Sequence, residues 1–105
     1  MNSVQKNYIE FELANYQRNL QTLQDLDKHK DLNSIVWQRL RLVTQGITLA
    51  LADLTPELQR FMQLKYGQNK HYTTAGLAYQ LHVSERTIQR WHNEVCYQVA
   101  KYIGF

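Results

Sequence analysis

Proline occurs once, at Pro56, and glycine only four times in 105 residues. A β fold needs those two residue types to punctuate its turns, so their scarcity predicts an all-α chain. Cysteine is as rare: Cys96 stands alone, which excludes an intramolecular disulfide and fits a reducing compartment. The chain has no run of about 18 apolar residues, and its polar start, Met1 to Tyr8, lacks the apolar core of a signal peptide. A cytoplasmic protein with no membrane contact is expected.

Catalytic patterns are missing too. There is no glycine-rich phosphate loop and no G-x-S-x-G or H-E-x-x-H arrangement. Glu10 and Glu12 stand two apart, so on a helix they do not face each other. His92 and Cys96 are one helical turn apart, but a structural zinc site asks for four ligands and the chain has no second cysteine. The expectations are therefore no enzyme, no cofactor, no metal and no small-molecule substrate, with Cys96 a small, partly buried apolar residue.

What is present is a helical rhythm. Apolar residues recur at Ile9, Leu13, Tyr16, Leu20 and Leu23, the spacing of a coiled-coil seam, and predict one helix from about Val4 to Lys28. After a polar break at Lys28 to Asn33, with Asn33 or Ser34 as cap, the rhythm returns at Val36, Leu40, Val43, Ile47, Ala50 and Leu54. A second line, Ile35, Leu42 and Leu49, marks another face of that helix, free for the C-terminal module or a second subunit. Residues 1–53 are thus expected to form an antiparallel helical hairpin that serves stability or self-association. Homodimerisation stays open.

Thr55, Pro56 and Glu57 form a compact helix start: N-cap, first helical position and an acid at the positive end of the dipole. The helix they open buries Leu58, Phe61, Met62 and Leu64 and stops at Gly67. The rest, Thr73 to Val95, reads TTAGLAYQLHVSERTIQRWHNEV. Ala78 is small where two helices would cross, and Leu77, Leu81, Val83, Ile88 and Trp91 point inward around a turn. His82 takes the position of positive φ, and Ser84 caps a last helix reaching about Ile103. That helix has an inward stripe of Ile88, Trp91, Val95, Val99 and Tyr102. Glu85, Arg86, Gln89, Arg90 and Asn93 are left outward, all of types that read base edges.

Charge agrees with this placement. Residues 1–55 carry six bases and six acids, whereas residues 56–105 carry six bases against three acids and three of the four histidines. A polyanion would meet the C-terminal half.

The stretch Leu58-Gln59-Arg60-Phe61-Met62-Gln63-Leu64-Lys65-Tyr66-Gly67, with the turn at Leu81-His82-Val83-Ser84, resembles region 4 of sigma-70-type factors. It is similar as well to the phage and prophage regulators of the ArpU/RinA type, and the likeness covers about residues 54–103. The resemblance implies a three-helix helix-turn-helix module in residues 54–105, and DNA contact through Ser84, Glu85, Arg86, Gln89, Arg90 and Asn93. It further implies phosphate contacts from Lys70, Thr73 and Thr74. Two departures stand out: His82 replaces the usual turn glycine, and Gly76 stands where an acid is common. The function expected is a sequence-specific transcriptional regulator acting on double-stranded DNA, with RNA polymerase a further candidate partner. The alternatives are a packaging protein like a terminase small subunit, and an adaptor that binds polymerase or sigma factor with a structural helix-turn-helix.

Overall fold

The computed structural model describes residues 1–28, 35–67 and 71–104, and among these it holds six helices and no strand. The chain is all-α. The break after Lys28, its candidate caps Asn33 and Ser34, and Lys70 lie outside the described residues.

Asn2 opens the first helix, α1 (Ser3–Ala14), with a reciprocal cap: its side chain accepts from the Gln5 amide at 2.8 Å, and the Gln5 side chain accepts from the Asn2 amide at 3.0 Å. The single long helix expected from Val4 to Lys28 is in fact two. Asn15 separates α1 from α2 (Tyr16–Lys28), with φ −100° and ψ 4° in place of helical values. Its side-chain amide donates to the Phe11 carbonyl at 2.8 Å, beside the backbone bond to the same oxygen. Asparagine competes for helix carbonyls in this way, and helices bend where it does. The bend gives the apolar seam two partners. Ile9 and Leu13 on α1 are fully buried in the central core, where α1 packs on the last helix. Tyr16, Leu20 and Leu23 on α2 face α3 (Ile35–Ala52), with the Tyr16 hydroxyl 2.6 Å from Thr48 Oγ1.

Helix α3 buries Trp37, Thr44, Gly46, Ile47 and Ala50. Gly46 is where it comes closest to the last helix: a Cβ there would lie 2.7 Å from Ile103 Cγ2 and 3.2 Å from the Tyr102 carbonyl oxygen. Thr55 then caps α4 (Pro56–Tyr66), accepting from the Leu58 amide at 3.3 Å, with Pro56 in the first turn. Leu58, Phe61 and Met62 are buried. Gly67 ends the helix as expected, although with φ −89° it is right-handed and its backbone freedom goes unused.

The remaining helices are α5 (Thr74–Leu81) and α6 (Glu85–Ile103). Thr73 caps α5 through a 3.0 Å bond from the Gly76 amide. Helix α6 touches α1, α3, α4 and α5 and so forms the centre of the molecule. Its Val95, Cys96 and Val99 are fully buried, and Trp91 meets Phe61 with ring centroids 6.1 Å apart. Tyr102, expected on the inward stripe, is instead exposed and donates its hydroxyl to Asp53. The core is continuous: Ile9, Leu13, Ile47 and Ala50 belong to the same buried cluster as Phe61, Leu77, Ile88 and Val99.

Candidate nucleic-acid interface

Two backbone bonds fix the connection between α5 and α6. The amide of Val83 donates to the Ala78 carbonyl at 3.0 Å and that of His82 to the Tyr79 carbonyl at 3.3 Å, the pairing of a Schellman motif. His82 takes the left-handed conformation the motif demands, φ 56° and ψ 42°. Left-handed backbone is unfavourable for any side chain with a Cβ, by about 1–2 kcal/mol, and the paired carbonyls offset it. Val83 follows, half-buried, and Ser84 caps α6 by accepting from the Thr87 amide at 3.1 Å.

This start orients the helix. Ile88 is buried beside Leu77 and Ala78, so the opposite face of α6 points away from α5. Glu85, Arg86, Gln89, Arg90 and Asn93 are all exposed, as are Ser84, Thr73 and Thr74. The hydroxyls of Ser84 and Thr73 already serve as caps, which ties them to helix ends as well as to any ligand. Arg90 lies 4.0 Å from Glu94, an exposed pair that contributes little. Arg86 makes no ion pair among the described residues.

Sequence reasoning missed two groups on this face. Tyr97 continues the line of Arg86, Arg90 and Asn93 one turn further on, and it is 60% exposed. Lys101 extends the same face. The signal was present in the 3.6-residue period, which places residues 86, 90, 93, 97 and 101 together.

A further cluster, away from that face, was invisible in the sequence. Glu10 on α1 sits 2.7 Å from His92 Nε2, across 82 positions of chain, and Lys65 Nζ on α4 sits 2.9 Å from His92 Nδ1. An ammonium has no lone pair, so Nδ1 accepts from Lys65 and the proton stays on Nε2, which donates to Glu10. Burial holds the imidazole below its ordinary pKa, outweighing the Glu10 bond that favours the charged form. The bond from His92 draws the Glu10 carboxyl below its usual range. Burial lowers the Lys65 ammonium, while Glu10 acts against that shift. The result is a relay of cation, neutral ring and anion that ties α4, α6 and α1 together.

Cys96 Sγ lies 3.8 Å from His92 Nε2, and the ligand atoms of Glu10, His92 and Cys96 fall within 4.8 Å of one another. Their order opposes a metal. A ligating nitrogen must be bare, and its partner nitrogen must donate to an acceptor. Here Nδ1 is held by a donor, so the proton occupies the nitrogen a metal would need. Burial also pushes the Cys96 thiol up to about 11, away from thiolate.

Family models, curated proteins and solved structures offered no match to the chain. Among the described residues no helix is long and apolar enough to cross a membrane.

Proposed function

We propose that this protein is a sequence-specific double-stranded DNA-binding regulator of transcription, of phage or prophage type and cytoplasmic, which sets the start of α6 into a major groove. The observation that carries the proposal is the outer face of α6. Its first turns expose Arg86, Gln89, Arg90 and Asn93, while α5 and the Schellman turn brace the inner side. Arginine pairs with guanine O6 and N7, and glutamine and asparagine with adenine. Thr73 and Thr74, exposed at the start of α5, are suited to phosphates. In this reading α4, α5 and α6 act as the helix-turn-helix unit that the resemblance to sigma region 4 implies.

One such module buries little interface, so useful affinity calls for two. The exposed line Ile35, Leu42 and Leu49 on α3 supports a homodimer in which each copy supplies one α6. In vitro selection from a random duplex pool tests the proposal. A selected site with two half-sites about 34 Å apart is the expected result. Arg86→Ala and Arg90→Ala should each relax the preference at one base position. If neither variant differs from wild type on a selected site, α6 does not read bases.

A further inference from the structure

The N-terminal hairpin is expected from the sequence to serve stability or self-association, and the fold sets its first helix, α1, against α6. Lys6, Lys65, Thr74, Gln89, His92 and Asn93 line one cleft of about 360 Å³. Three of these, Thr74, Gln89 and Asn93, are residues assigned to DNA on other grounds. Of the two lysines, Lys65 is committed. Its ammonium is bonded to His92 and lies 5.3 Å and 5.8 Å from the ring centres of Tyr66 and Phe61. Lys6 makes no ion pair among the described residues.

The backbone of Lys6 is positioned by α1. Lys6 stands one turn before Glu10 on the same face of α1, and Glu10 is fixed to α6 through His92. Glu10 is the carboxylate that acts on both Lys65 and His92, and with His92 neutral the two ammoniums outweigh it by one positive charge. A lysine that lines a cleft also holding Thr74 and Asn93 suits a phosphodiester oxygen and carries no base information.

We infer that Lys6 contacts a backbone phosphate of the duplex whose groove receives α6, so that the N-terminal helix is part of the nucleic-acid surface. The inference rests on the DNA-binding role proposed above. The test measures fluorescence anisotropy of the full chain on a selected duplex and on a shuffled one between 50 and 200 mM salt, for wild type, Lys6→Gln, Lys6→Arg and Arg90→Ala. Losing one phosphate contact should lower the salt slope by about 0.9, so the affinity deficit of Lys6→Gln shrinks about threefold across that range. The deficit should be equal on both duplexes, and Lys6→Arg should restore the wild-type affinity and slope. Arg90→Ala should lose affinity mainly on the selected site. If Lys6→Gln keeps the wild-type slope while wild type binds its site, Lys6 touches no phosphate and the DNA-binding role stands. If Lys6→Arg fails like Lys6→Gln, charge is not the cause and the inference is overturned. If wild type shows neither site preference nor salt dependence, both proposals are lost.

Discussion

Helices α3 and α6 are nearly the same length, 18 and 19 residues, and pack against each other through Gly46 and the Tyr102–Ile103 end. Each buries one face, and the faces left over differ. Helix α6 exposes Arg86, Arg90, Asn93 and Lys101. Helix α3 exposes Ile35, Leu42 and Leu49 at 73%, 70% and 57%, spaced by sevens along one edge. Shared packing therefore says nothing about what a helix offers outward. The α6 face is polar and charged, whereas this edge of α3 is apolar.

The shared core is the first thing to break. Ile47 is fully buried on α3 in the cluster that holds Val95 and Val99 of α6. Ile47→Ala should destabilise the fold by about 2–5 kcal/mol, read as a lower urea midpoint for both halves in a single transition. Two separate transitions, only one of them shifted, would show that the halves hold independent cores.

Substitutions on the α6 face should leave stability alone and act on binding. Arg86→Ala or Arg90→Ala is expected to cost about 1–3 kcal/mol on a selected site if the side chain is bidentate to guanine, with the melting temperature unchanged. Acid should act between those extremes. His92 has a lowered pKa in the folded chain, so the unfolded chain binds more protons once pH falls below the ordinary histidine value of 6.5. Stability present above that value is lost as pH falls through the folded pKa. The carboxyl of Glu10, also lowered, adds a second loss below 4.5. The groups facing His92 are Lys6 and Glu10 of α1, Lys65 of α4 and Cys96 of α6, and a protonated ring would set a second donor against Lys65. Melting curves from pH 7.5 to 5 should fall for wild type and flatten for His92→Gln.

Smaller effects sharpen the contrast at the turn and at the α3 edge. His82→Gly relieves about 1–2 kcal/mol of left-handed strain but adds about 0.4–1 kcal/mol of unfolded-chain entropy. The net is a gain of between about 0 and 1.6 kcal/mol, which should leave the melting temperature unchanged or raise it slightly. Leu42→Lys with Leu49→Lys should change chain stability by no more than about 0.5 kcal/mol each. In sedimentation the same pair should convert a dimer to a monomer. An unchanged dimer would place the seam elsewhere.

Much of the C-terminal half was legible because its signals are local. The caps at Thr55 and Ser84, the left-handed His82 and the exposed set from Glu85 to Asn93 follow from short-range rules of helix ends and period. The N-terminal half misled for a local reason of its own. The apolar seam from Ile9 to Leu23 runs unbroken through Asn15, and only the side-chain bond to Phe11 shows why the helix bends there.

Residue order alone determined that this chain is helical, where most helices begin and end, and which side of α6 is polar, since helical period and capping act within a few residues. Tertiary structure alone decided that α1 lies on α6, that Glu10, His92 and Lys65 meet, and that Lys6 borders the cleft beside Asn93. Contacts across 82 positions depend on how helices stack, and no local pattern encodes the stacking.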